Sequence, residues 1–205
     1  ATSLDLGFVL GPRLNAAGRL ADMGLGVECL LADDATEALA QARELDRLNR
    51  ARKEIEDDMR EQAERALDTI GVADGYSLAL YDPHWHQGVI GLIAGRLRER
   101  HHRPTFVFAR AEAGLLKASG RSIPGLHLRD LLDRIDKHQP GLLLRFGGHA
   151  MAAGLTLAEA DFPRFAQAFE SACRACLAPA DLARVIETDG TLGRDEFSFA
   201  LAQAI

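Results

Sequence analysis

The chain has 205 residues, 47% hydrophobic and 26% charged, with 24 basic against 30 acidic side chains and a formal net charge of −6. This is the composition of a globular protein rather than a disordered one, and its acidic balance excludes indiscriminate coating of nucleic acid, which relies on positive charge to release counterions. No apolar run reaches the ~20 residues of a membrane helix, and the start Ala1-Thr2-Ser3-Leu4-Asp5 has neither a basic nor an apolar signal region, so no membrane role and a cytoplasmic location are expected.

The first segment, Gly11-Pro12-Arg13-Leu14-Asn15-Ala16-Ala17-Gly18-Arg19, reads as a structured turn with basic edges. Asp33 or Asp34 is then the expected N-cap of a long helix, since neither Gly nor Pro interrupts the chain from Ala35 to Ile70. Leu45, Leu48, Ile55, Met59, Ala63 and Ala66 recur at helical spacing as one apolar stripe. Asp46 with Arg50, Glu56 with Arg60, and Glu61 with Arg65 stand at i,i+4 in the favourable order. At ~1.5 Å per residue this helix is roughly 50 Å long, more than a compact domain of this size needs, so we expect it to connect two bodies.

Beyond Gly71 and Gly75 the texture alternates between strand and helix. Strands are predicted at Ser77 to Tyr81, Thr105 to Ala109, Leu115 to Ser119 and Gly154 to Leu157; helices at Gly88 to Arg100, Leu128 to Ile135 and Phe162 to about Leu177; and a turn at Gly147-Gly148. Such alternation predicts an α/β domain with a largely buried sheet and helices on its faces. The tail from Val185, with a turn at Asp189-Gly190, reads as the start of a further element, and both ends read as cut from a longer protein. The three cysteines suggest reduced thiols. Cys173 and Cys176 have CxxC spacing, but no second pair completes a zinc site, so two small apolar residues on a helix is the simpler reading.

Three polar clusters could carry chemistry. Lys117-Ala118-Ser119-Gly120-Arg121-Ser122 combines small residues, two hydroxyls and two cations, the ingredients of an anion site, although turn geometry alone would also explain it. In Gly147-Gly148-His149, paired glycines can expose backbone N–H groups as an anion-holding nest with His149 beside it; a packed structural histidine is the competing reading. The loop Asp82-Pro83-His84-Trp85-His86-Gln87-Gly88 lies between a predicted strand and helix, where α/β sheets bind ligands. Its tryptophan could stack a base, but core packing is the better reading, and His84 and His86 lack a third metal ligand. The sequence has no Walker loop, GxSxG or HExxH and no clustered aspartates and histidines for two metals, so no catalytic set is complete in this chain.

Four segments together carry a resemblance. Gly11-Pro12-Arg13-Leu14-Asn15-Ala16-Ala17-Gly18-Arg19-Leu20, Trp85-His86-Gln87-Gly88-Val89-Ile90-Gly91, Ser119-Gly120-Arg121-Ser122 and Gly147-Gly148-His149-Ala150-Met151-Ala152-Ala153-Gly154, in this order, resemble the RecJ family of bacterial single-stranded-DNA-specific exonucleases over essentially the whole chain. The Gly-Gly-His segment alone is shared with many DHH-superfamily phosphoesterases and with the C-terminal domain of alanyl-tRNA synthetases; the four motifs together are far more specific. The resemblance implies a DHHA1-like mixed β-sheet flanked by helices and preceded by a long connecting helix. It divides the chain into the end of a DHH domain (1–32), the helix (33–70), a DHHA1 substrate-binding domain (71–180) and the first strand or two of an oligonucleotide-binding domain (181–205).

The family's Asp-His-His motif is absent from this sequence. By the resemblance, Mn2+ or Mg2+ would be bound by the DHH domain of the full-length enzyme and no metal by this chain. The same likeness assigns Lys117, Ser119, Arg121, Ser122, Gly147, Gly148 and His149 to substrate phosphates or to the shape of their pocket, with His86 and Arg19 as secondary lining residues. It implies stepwise 5′→3′ hydrolysis of single-stranded DNA in repair and recombination. The implied partner is single-stranded DNA, with single-strand-binding protein contacting regions outside this chain. A phosphodiesterase of short oligonucleotides and a non-catalytic RNA- or protein-binding module are the alternatives.

Overall fold

The computed structural model describes residues 2–70, 74–112 and 114–204. A π-helical turn, Asp5–Leu10, runs directly into helix α1, Gly11–Leu20, followed by α2, Gly24–Leu31, and the long helix α3, Ala35–Ile70. The segment expected to be a turn is therefore a helix. Pro12 occupies the first turn of α1, where its missing N–H costs nothing and its fixed φ is already helical. Ala16 and Ala17 are fully buried with Leu45 and Leu48, so the small residues let α1 dock closely on α3. Arg13 reinforces this contact through Nε and Nη2, 2.9 and 2.8 Å from Oδ1 of Asp46.

Helix α3 begins where its cap signal places it. Asp34 Oδ1 accepts the N–H groups of Thr36 and Glu37, both at 2.9 Å. Replacing Asp34 by Ala, which removes an N-cap, is expected to lower stability by about 1 kcal/mol in a denaturant melt without affecting the sheet. The apolar stripe divides its work: Leu45 and Leu48 pack on α1, while Met59, Ala63 and Leu67 pack under the sheet domain, and the helix so joins the two bodies. Two predicted pairs form, Asp46–Arg50 at 2.7 Å and Glu61–Arg65 at 3.7 Å. Glu56 instead binds Arg52 at 2.6 Å and Arg96 at 3.3 Å, and Arg60 turns to Asp57. A guanidinium one turn back and another from the neighbouring helix outcompete the expected Arg60.

The remaining chain builds a five-stranded sheet in the order β1-β2-β3-β5-β4: β1, Leu78–Tyr81; β2, Thr105–Arg110; β3, Leu115–Arg121; β4, Arg145–Gly148; β5, Ala152–Ala158. Strands β1 and β2 are parallel, joined through α4, Ile90–His101; all other pairings are antiparallel, which makes the sheet mixed. Gly147 and Gly148, expected in a turn, end β4 instead, and the reversal falls on Ala150 and Met151. Gly148 adopts φ +142, and a Cβ there would collide with the Ala152 carbonyl oxygen, so its glycine serves the strand end.

One face of the sheet is closed by α5, Leu128–His138, and α6, Phe162–Cys176. Phe106, Phe108, Phe165 and Phe169 are fully buried there, with ring centroids 5.1–6.3 Å apart among the contacting pairs. Each contributes roughly 1.5–3 kcal/mol by leaving water. Helix α4 covers the other face only over β1, β2 and part of β3, through Ile90, Ile93, Ala94 and Leu97. Among the described residues, the β3-β5-β4 half is left open on that side. The tail holds no strand among its described residues: a short helical turn at Pro179–Leu182 leads to irregular chain and a final helix α7, Phe199–Ala204. No helix of the described residues is long and apolar enough to cross a membrane.

Candidate functional site

Strand alternation decides which side chains of β3 meet. Leu116 and Ala118 face the α5/α6 core, so Lys117, Ser119 and Arg121 share the opposite, partly open face. The registers extend this into rows across three strands: Lys117, Thr156 and Arg145; then Ser119, Gly154 and Gly147; then Arg121 beside Ala152, next to which His149 donates its N–H to the Ala152 carbonyl at 2.8 Å. Two of the three sequence-predicted clusters thus converge on one surface. His149, which is exposed, stands two strands from Arg121, about 10 Å by strand spacing.

Arg121 is the electrostatic centre. It is half-buried, and among the described residues the only hydrogen bond of its side chain is from Nη1 to the carbonyl of its neighbour Gly120 at 2.8 Å. Burial, then the guanidiniums of Arg19 and Arg98, push it below the ordinary arginine value. It remains charged, because arginine does not deprotonate in proteins. Three like charges gathered with no carboxylate within 4 Å of Arg121 among the described residues create a positive potential that an anion would relieve. The guanidinium reaches across Gly91 of α4: a Cβ on Gly91 would lie 3.2 Å from its Nη2.

Arg19 is delivered from α1 by a backbone contact. Its Nη1 donates to the Gly88 carbonyl at 3.2 Å, and Gly88 is so close that a Cβ on it would collide with the Arg19 carbonyl oxygen. Only glycine fits. His86, in the same loop, folds back so that Nδ1 accepts the Gly88 N–H at 3.1 Å; it shapes the loop rather than lining the cleft, while its neighbour Gln87 does line it. Helix α4 begins here with no side chain capping its N-terminus, adding the positive end of its dipole beside Ser119.

One expectation, for Ser122, changes, and the preferred core reading of Trp85 holds. Ser122 is fully buried, its Oγ donating to the Leu126 carbonyl at 2.7 Å, so its hydroxyl closes the turn into α5 and cannot serve a ligand. Trp85 lies in the core, with Nε1 donating to Gln62 Oε1 of α3 at 2.9 Å, and presents no base-stacking face. Two residues escaped the sequence reading. Arg98 stands seven residues after Gly91, whose missing side chain leaves room for Arg121 and Ser119 of β3. Arg145 is a β4 residue whose partnership with Lys117 requires the register. With Gln87, Ile90, Ser119 and Thr156, Lys117 and Arg145 line a cleft of about 330 Å³. Among the described residues no three His, Cys, Asp or Glu side chains gather as a metal site. The described side chains that line the cleft are cationic or neutral, and the chemistry they offer is anion binding.

Comparison with known proteins falls on the same region. The profile described as the DHHA1 domain matches residues 74–175. The chain is 50% identical over 208 residues to the single-stranded-DNA-specific exonuclease RecJ of Dickeya dadantii, covering 98% of this chain and 35% of that protein. The Escherichia coli protein of the same name gives the same identity and coverage. The chain thus spans about a third of the length of these curated relatives. The crystal structure of RecJ in complex with Mn2+ from Thermus thermophilus superposes with a TM-score of 0.72 at 36% identity, covering 84% of this chain and 24% of that one. A structure of exonuclease RecJ bound to manganese gives 0.72 at 34% identity over 88% of this chain and 45% of that one.

Proposed function

Because this chain belongs to the RecJ family and carries its DHHA1 domain, we propose that its cationic cleft grips the sugar–phosphate backbone of a single DNA strand while the rest of the full-length protein hydrolyses it from the 5′ end. The observation that carries the reading is the Arg19–Arg98–Arg121 cluster, which gathers charge from two helices and a strand at the mouth of an open sheet. Arg121 and Ser119 hold a phosphate by charge and hydrogen bond, Arg19 approaches it from α1, and Gly147 leaves the floor clear. His149 offers its ring at the far edge of the same row. These groups fix the phosphate in position, a large share of catalysis for a flexible polyanion.

Residues 1–32 belong in this reading to the end of a DHH domain, 33–70 to the connecting helix, 71–180 to the DHHA1 domain and 181–205 to the start of an oligonucleotide-binding domain. Leu6, Phe8, Leu30 and Leu31 are 55–77% exposed, an apolar surface suited to packing against the remainder of the protein. Metal chemistry, with Mn2+ or Mg2+, is supplied by that remainder.

The test compares the 205-residue chain with the full-length enzyme. With Mn2+ present, the full-length protein is expected to degrade single-stranded DNA and the chain alone to hydrolyse none. Fluorescence anisotropy on the full-length protein should rank a single-stranded deoxyoligonucleotide above the matching duplex and above a folded RNA. Preference for the RNA would install the non-catalytic reading, and faster turnover of dinucleotides than of long strands would install the short-oligonucleotide phosphodiesterase.

A further inference from the structure

The row formed by Lys117, Thr156 and Arg145 lies two rows from Arg121 along β3, about 14 Å at the rise of an extended strand. It is too far for one phosphate to reach both. Lys117 and Arg145 are both exposed and line the same cleft, and among the described residues no carboxylate lies within 4 Å of either. Two unpaired cations facing one cavity repel each other unless an anion sits between them. The row between, Ser119, Gly154 and Gly147, carries nothing larger than a hydroxymethyl group, and a Cβ on Gly147 would enter open space. A low floor therefore joins two cationic ends.

We propose that Lys117 and Arg145 form a second phosphodiester subsite, so that a single strand held at Arg121 runs across the glycine floor and is gripped again farther along. This inference rests on the proposed function and adds its consequence: affinity depends on strand length, because a short oligonucleotide occupies the Arg121 end alone. Thr156 adds a hydroxyl between the two cations, and Gln87 walls the cleft, its Nε2 held by the Arg110 carbonyl at 2.8 Å. The contacts are to the backbone and carry no base preference.

The experiment measures binding of 5′-phosphorylated dT2, dT4 and dT6 to the full-length enzyme in chelator, where nothing is cut. The unmodified enzyme is expected to bind dT6 at least tenfold more tightly than dT2. In Lys117→Ala/Arg145→Ala that gain should shrink to a fewfold, and the slope of log affinity against log salt for dT6 should become shallower by about 0.7, the contribution of one phosphate on a single strand. Gly154→Val, whose added Cβ meets only the Ala118 carbonyl oxygen at an ordinary 3.4 Å, should also flatten the length dependence by raising a ridge on the floor. Unchanged length dependence and salt slope in the double variant would overturn the subsite. So would a drop in melting temperature with unchanged binding, which would show the two cations paired with carboxylates elsewhere in the protein. If Arg121→Ala still impaired the enzyme in either case, the proposed function would stand without the subsite.

Discussion

Arg121→Ala in the full-length enzyme is expected to lower kcat/KM on single-stranded DNA by about ten- to a hundredfold and to leave the protein folded. The magnitude follows from losing one charge-assisted hydrogen bond, roughly 1.5–3 kcal/mol, expressed as transition-state stabilisation. Stability should not suffer, because among the described residues the guanidinium bonds only the adjacent Gly120 carbonyl, and its charged neighbours, Arg19 and Arg98, repel it. A melting temperature equal to or slightly above that of the unmodified enzyme, together with the kinetic loss, separates a ligand-binding arginine from a structural one. Arg121→Lys should recover part of the rate, since the ammonium keeps the charge and loses the planar fork. Unchanged kinetics in a stable Arg121→Ala protein would remove this residue from the site.

Gly88→Ala is expected to damage stability and rate together. The new methyl would collide with the Arg19 carbonyl oxygen and stand 2.9 Å from its carbon, and both atoms are backbone at the end of α1. Relief requires moving α1 or the β1–α4 loop. Overpacking of this kind costs about 1–3 kcal/mol, or roughly 3–10 °C in melting temperature for a chain of this length. The displacement also pulls Arg19 from the Gly88 carbonyl that holds it beside Arg121, and misplacement by about 1 Å can cost a hundredfold in rate. Gly95→Ala is the control: its Cβ meets nothing within 4 Å, and in a helix interior the change should hold or raise the melting temperature. Thermal melts and single-strand hydrolysis on the two variants check both halves. A Gly88→Ala enzyme that melts and cuts like the original would mean that the α1 contact does not position the site.

Much of the architecture was legible because it depends on local signals. The helix from Ala35 to Ile70 follows from an uninterrupted run with a cap at Asp34 and one apolar stripe, and the strands flanking Gly114 follow from short apolar runs bounded by turn residues. Where expectation failed, the deciding contact lay far away in sequence. Gly11 to Arg19 is rich in turn formers, yet it is helical because Ala16 and Ala17 find a partner surface on α3. Glu56 chooses Arg52 and Arg96 because α4 crosses α3 at that level. Ser122 was grouped with its neighbours by adjacency, but alternation at the end of β3 turns it inward to the Leu126 carbonyl.

The chain by itself therefore determined on which strands and loops the cations, hydroxyls and glycines of the proposed anion site stand, because charge, hydroxyl content and hydrophobic period are properties of short windows. Only the tertiary structure decided which of them share one surface. Register placed Arg145 against Lys117 across β5, a glycine-to-backbone contact brought Arg19 to the sheet, and the packing of α4 on β3 set Arg98 near Arg121. Each of these is a pairing between distant segments, set by the order in which strands and helices pack, which no local pattern encodes.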